Sequence, residues 1–226
     1  MAHPGDVLEH RALGVRITFL QTAEQTNGEL MRVEVALPPN FSMAEHVHPR
    51  QQERHHVLSG TLRARVGGEE REYTPGEYVI GPPNVPHAWR NPSSQESLRI
   101  VSEHRPVLHM ELMLESGFAI AREFAADKRR IHRHVLRAAI LMDEIKDDFY
   151  FTGLSMRALM ALFVALAPVG RFLGYTIHAK SEGQVPVPQP KATGGAFSAA
   201  RIGGAAAGLA AVAFAAHWWR HRSQRA

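Results

Sequence analysis

The sequence predicts a mainly β fold, a sandwich or barrel of short strands, followed by α-helices and a C-terminal hydrophobic helix. Three observations carry this. Short β-type runs recur between turn clusters up to about residue 105. From 106 to 180 that alternation gives way to apolar residues at near-helical spacing. Near the C-terminus, residues 202–219 form a segment of 18 residues without a formal charge.

In the first block (1–105) the β-type runs are VRITFL (15–20), LMRVEVAL (30–37), HHVLSG (55–60), TLRARV (61–66), EYVIG (77–81) and SLRIVS (97–102). TNGE, PPN, VGGEE, TPG and NPSS separate them, and Gly, Pro and Asn punctuate chains in this way because they supply turn geometries. In the second block (106–180), Leu108, Leu112, Leu114, Phe118 and Phe124 lie at near-helical spacing, and Ile131, Val135, Leu136, Ala139, Ile140 and Met142 repeat it more regularly. A third helical stretch runs from Leu154 to Leu173, with Pro168 and Gly170 expected to interrupt it. Only 13 uncharged residues lie between its Arg157 and Arg171, so it reads as a buried or interfacial helix rather than a membrane span.

A Pro- and Gly-bearing linker, 181–195, leads to a tail, 196–226. The uncharged segment 202–219 is flanked by Arg201 and by Arg220, Arg222 and Arg225, with Trp218 and Trp219 at one edge and a Gly204-x-x-x-Gly208 spacing inside. Length, basic flanks and interfacial aromatics fit a single membrane-associated helix. Basic residues after it favour a cytoplasmic C-terminus, while the N-terminus, with an acid and no long apolar run, does not read as a signal peptide; a cytosolic tail-anchored protein, or a tail lying in the interface, reconciles the two. The expected location is membrane-associated, otherwise cytoplasmic.

The formal charge of +4 resides in that tail: residues 1–180 hold 21 Lys or Arg and 21 Asp or Glu, and 181–226 hold five and one. A basic nucleic-acid-binding face, or a helix-turn-helix with a basic recognition helix, is not supported. No cysteine is present, which excludes disulfides and thiolate metal sites. A metal must use His, Asp or Glu, and the stretch MAEHVHPRQQERHHVLSG offers both types. His46 and His48, two apart on an extended segment, point to one face, and Glu53 follows after a short break. With His87 from PPNVPHAWRN they make a candidate set of three imidazoles and one carboxylate, suited to Fe, Mn, Ni, Zn or Cu.

Taken together, His46-x-His48-x4-Glu53-x6-Gly60 resembles the first motif of the cupin superfamily, and Pro75-Gly76-x10-His87-x3-Asn91 the second, with 14 residues between Gly60 and Pro75. The resemblance covers about residues 30–105. It implies a double-stranded β-helix, a small jelly-roll barrel, with a divalent metal held inside by His46, His48, Glu53 and His87. The chain departs from the pattern at Asn40 and Asn84, where glycine is usual, and at Gly81, where a bulky apolar residue is usual. Asn tolerates left-handed backbone, so both turns stay feasible. Gly81 opens space in the barrel or marks a bulge.

Alternation from Glu53 puts His55 and Val57 on the ligand face, and from His87 it puts Trp89 inside. His55 is a candidate catalytic acid/base or donor to a ligand, unless a bulge turns it outward. Trp89 and Val57 are candidate pocket walls. Arg63 and Arg65 are expected to face solvent, as are His104 and His109. His132 and His134 repeat the His-x-His spelling on a predicted helix, where such positions diverge, and are discounted as ligands. Two functions fit: a metal-dependent enzyme, an oxygenase on a small, partly apolar substrate with isomerisation or hydrolysis as other chemistries, or a non-catalytic binding or sensing module. The partners expected are a small molecule, a membrane through the C-terminal helix, and a second copy of the chain.

Overall fold

The computed structural model describes residues 2–11 and 13–177. The linker 181–195 and the tail 196–226 lie outside the described residues. Among the described residues, eleven antiparallel strands form two sheets. The first contains β1 (Val7–His10), β2 (Val15–Gln21), β3 (Met31–Leu37), β10 (Leu98–Arg105), β5 (Gln52–Ser59) and β8 (Tyr78–Gly81), in that order. The second contains β11 (Tyr150–Phe151), β4 (Ser42–Val47), β9 (His87–Arg90), β6 (Leu62–Val66) and β7 (Glu69–Tyr73). From β3 to β6 and again from β7 to β11 the chain passes from one sheet to the other at each step, which gives the jelly-roll-like closure.

Period-2 patterning builds the layer between the sheets. Met31, Val33, Val35 and Leu37 of β3 are buried while Arg32, Glu34 and Ala36 are half-buried, and Val15, Ile17 and Phe19 of β2 repeat the pattern. Leu62 and Ala64 of β6 turn inward, and Arg63 and Arg65 turn out to meet Glu72 and Glu45. All of the sequence-predicted strands form. The strands not predicted, β1, β4, β7, β9 and β11, are rich in polar residues or very short. The segment VGGEE divides in two: Gly67 and Gly68 make the turn with positive φ, and Glu69 already begins β7.

Three helices follow: α1 (Met110–Ala126), α2 (Ile131–Ile145) and α3 (Leu154–Phe172). They share a second core of Ile120, Ile140, Leu141, Ile145, Phe149 and Met160, among others. Gly170 sets the approach of α3 to α2, since a Cβ there would lie 3.0 Å from Ile140 Cδ1 and 3.1 Å from the Leu136 carbonyl oxygen. The helical block is tied to the barrel by β11, whose Tyr150 and Phe151 pair with Val47 and His46.

Two expectations about α3 change. The helix runs unbroken through Pro168, because a proline this near the end forfeits one backbone hydrogen bond without stopping the last turn. Nor is it a buried helix: only Met160, Ala167 and Gly170 are buried, while Leu154, Leu162, Val169 and Phe172 are exposed. Counting from Leu154 rather than from Arg157 gives 19 residues with mean hydropathy 1.4, so among the described residues this is one helix long and apolar enough to cross a membrane. Length and composition alone carry that statement, and core helices of soluble proteins pass the same test.

Candidate metal centre

Both sheets contribute to a cluster inside the barrel. His46 is the penultimate residue of β4 and sits opposite His87 of β9 in the strand register. His48 follows one residue beyond β4. Glu53 of β5 faces them from the other sheet, opposite Gly81 of β8 and His104 of β10. His46, His48, Glu53 and His87 are all buried, and one donor atom from each lies within 4.8 Å of every other.

The outer nitrogens set the direction of the inner ones. Nδ1 of His46 bonds to the Ala44 carbonyl and Nδ1 of His87 to the Val85 carbonyl, each at 2.8 Å, and Nδ1 of His48 bonds to the Asp148 carbonyl at 3.2 Å. A carbonyl only accepts, so each Nδ1 carries the hydrogen and Nε2 is turned to the cluster. Metal-ligating histidines are oriented in this way. Gly81 lets the His87 ring lie flat on β8, since a Cβ there would be 3.1 Å from three of its ring atoms. It makes room for a ligand and marks no bulge, the β5–β8 register being regular.

Glu53 is the one carboxylate at the centre of this cluster, ringed by imidazoles. His87 Nε2 lies 3.0 Å from Glu53 Oε2, and a proton held there, with the one on Nδ1, makes His87 an imidazolium in the metal-free protein; Nε2 of His55 and His46 lie at 3.4 and 3.7 Å. Burial by itself raises the Glu53 carboxyl; the charge of His55 and the close imidazoles of His46, His55 and His87 outweigh it and hold the group well below its ordinary value. His87 goes the other way. Burial lowers it, but the hydrogen bond and charge of Glu53 prevail and the imidazole is raised. Burial pushes His48 down to about 3 and His104 down to about 4.

These directions predict acid lability of the metal-free protein. His48 and His104 have folded values below the unfolded 6.5, so the unfolded chain binds more protons below that pH. Their contribution is complete above pH 6.5 and is lost as pH falls towards 4 and 3. Glu53 acts in the same sense below its ordinary range, and His87 opposes, its contribution fading as pH rises through its raised value. Thermal melts should show a net loss of about 2–4 kcal/mol between pH 7.5 and pH 5, at ~1.4 kcal/mol per pKa unit and per group. A pH-independent melting temperature contradicts this.

The placement of the other expected residues differs in detail. His55 is inside, its Nδ1 2.7 Å from Ser102 Oγ, and it reaches Glu53 rather than the cavity. Trp89 is inside and lines the cavity, packed on Phe41 and on His55. Val57 is fully buried in the barrel core but is not part of the cavity wall. His104, expected at the surface, is 5% exposed, lines the cavity and has Nε2 3.8 Å from Glu53 Oε1. No local pattern marks that face, which β10 takes from its pairing with β3 and β5. His109 is half-exposed and pairs with Asp148 at 2.6 Å. His134 bonds to the Asp127 carbonyl, away from the site. Asn91 binds the Glu96 carbonyl and the Ser93 N–H of its own loop and the Pro38 carbonyl of the turn between β3 and β4, and is no ligand. Missed altogether were Asp148 and Phe149, from the segment before β11: the first holds His48 and pairs with Arg50, and the second packs on the His46 and His48 rings.

Beside the cluster lies a cavity of about 100 Å³. His46, His48, Glu53 and His104 form one side and β2, β3 and α1 the other, with apolar residues predominating. The donor set suits a divalent metal: three neutral-capable nitrogens with oriented Nε2 atoms and one ionised oxygen converge, and four buried polar side chains gain a common partner. Metal identity is open among N/O-binding ions.

Residues 33–102 match the family described as a cupin domain. No curated protein matches the chain. Among solved structures, KdgF from Halomonas sp. is similar at 19% identity and a TM-score of 0.39, over 45% of this chain and 86% of that one. A RmlC-like cupin from Shewanella frigidimarina is similar at 22% identity and a TM-score of 0.39, over 45% and 84%. A predicted oxalate decarboxylase from Thermotoga maritima is similar at 18% identity and a TM-score of 0.39, over 41% and 80%. Likeness at this level says nothing of what this chain acts on.

Proposed function

We propose, from the premise that this chain belongs to the cupin superfamily through residues 33–102, that the barrel holds one divalent metal ion on His46, His48, Glu53 and His87 and acts there as an oxygenase on a small, partly apolar molecule. The observation that carries the reading is the convergence of four buried donors on one edge of an apolar cavity. Such an ion, when bound, supplies Lewis-acid chemistry and, if redox-active, activation of O2. The chain's own residues do the rest. Carbonyls of Ala44, Val85 and Asp148 hold the ligand rings in one tautomer, and Ser102 holds His55 so that its Nε2 faces the Glu53 carboxylate. His55 is thereby a positioning residue for Glu53, one of the two roles its place in the sequence suggested. Trp89, Phe149 and the α1 side chains keep water from the apolar side of the cavity.

The test is metal analysis of purified protein, then O2 consumption with candidate substrates before and after chelation. Millimolar chelator should abolish turnover, and added metal should restore it. Full activity in metal-free protein rejects the reading. The second reading, a non-catalytic binding module, is favoured by the apolar wall that Met110, Met113, Leu114 and Phe118 of α1 add to the cavity. It predicts that ligand is recovered unchanged from metal-loaded protein.

The proposal extends to placement. The exposed apolar face of α3 and the uncharged segment 202–219 support a membrane-associated protein. Deleting 196–226 should shift the protein to the soluble fraction, and an unchanged membrane fraction rejects the tail as anchor.

A further inference from the structure

Part of the cavity wall comes from outside the matched segment: His10 ends β1, and Met110, Met113, Leu114 and Phe118 come from α1. His10 is 5% exposed, and its Nδ1 accepts a hydrogen bond from the Leu13 N–H at 3.1 Å. A backbone N–H only donates, so Nδ1 is the bare nitrogen and Nε2 carries the hydrogen. Burial lowers the imidazole from its ordinary value, which keeps it neutral. That Nε2–H has no partner among the described residues. Trp89 repeats the situation: it lines the same cavity, is 8% exposed, and its Nε1–H, a donor only, has no acceptor. Buried donors are nearly always satisfied in folded proteins, so two unmet donors on residues lining one cavity indicate a missing acceptor.

We propose that His10 is a ligand-binding residue, and that the cavity takes a neutral molecule with a compact apolar body and an acceptor oxygen, a carbonyl or ether, which receives the His10 Nε2–H. The class follows from the walls. They are mostly aliphatic and aromatic, so a charged ligand loses its hydration without compensation away from the metal ligands. Two donors select an acceptor, and a cavity of about 100 Å³ limits the body to a small ring or short chain. Specificity then comes from β1 and α1, the parts added to the cupin segment. The inference deepens the small-molecule reading above and is independent of the metal.

The experiment uses the full chain after chelation, with cyclopentanone and cyclopentane as probes of similar shape that differ in one acceptor. Calorimetric titration measures affinity, and nitrogen NMR follows the His10 side chain. His10→Phe keeps a ring of similar size and removes the donor. It should weaken cyclopentanone about three- to tenfold, the worth of one net hydrogen bond, and leave cyclopentane within about twofold. In the wild type, cyclopentanone but not cyclopentane should shift the His10 Nε2 signal. If His10→Phe does not fold, that wild-type shift decides the matter, together with Met113→Trp, which should fill the cavity from α1 and abolish binding of both probes. Equal cyclopentanone affinity with and without His10, no binding of either probe, or no shift at Nε2 overturns the proposal. Failure of the metal reading shows instead as wild-type protein that takes up no metal, which a titration after chelation does not register.

Discussion

Glu53→Gln should reduce divalent-metal affinity at least about a hundredfold, the upper end of what loss of a supporting residue around a metal costs, since here a ligand itself loses its charge. The substitution keeps size and shape and removes the one buried anion among His46, His48, His55, His87 and His104. Metal content after dialysis should fall from about one ion per chain to less than about a tenth, as expected when a charged ligand is lost from a closed set. A second readout separates loss of charge from loss of fold. Glu53 is what raises the His87 imidazole, so in metal-free Glu53→Gln that imidazole should titrate lower, by NMR, than in the wild type. Unchanged metal content in a folded variant removes Glu53 from the site.

Gly60→Ala should be the costliest single-methyl change in the barrel. Gly60 has φ of 82°, and an added Cβ would sit 2.8 Å from the Ser97 carbonyl oxygen and 3.1 Å from Leu98 Cα. Left-handed backbone costs a non-glycine residue ~1–2 kcal/mol, and the clash is with backbone that β10 holds in place. A total of about 3 kcal/mol corresponds to a fall of roughly 6–12 °C in melting temperature for a chain of this size. Gly76→Ala is the control: φ is 92° but nothing lies within 4 Å, so only the conformational part, about 1–2 kcal/mol, should appear. Equal costs at the two positions would show that the close approach to Ser97 is unimportant.

Much of the site could be read from spacing because strand alternation is a local property. His46 and His48, then Glu53 and His55, then His87 and Trp89 each share a face by period 2, and all six are buried. The departures from the family pattern were legible for the same reason: Asn40 and Asn84 do adopt left-handed backbone, with φ of 60° and 64°. His104 was not legible in this way. Its face is set by β10 pairing across the sheet with both β3 and β5, and a histidine near the end of a strand has no local sign of which side is covered. β4 and β9 escaped detection because they carry the ligands, and polar side chains break the apolar rhythm by which strands are recognised.

What the sequence by itself determined is the barrel, its four converging donors and the passage from strands to helices after about residue 105, since hydrophobic period, turn residues and motif spacing act over a few residues at a time. Only the tertiary structure decided that the helical block completes the site. Asp148 and His48 are 100 residues apart, yet one carbonyl of the former orients the latter. His10 of β1 and Phe118 of α1, far apart in the chain, bring their rings to 6.4 Å between centroids at the same cavity. Such contacts follow from how the sheets close and where α1 lies on them, and no local pattern of residues encodes a distance between segments that far apart.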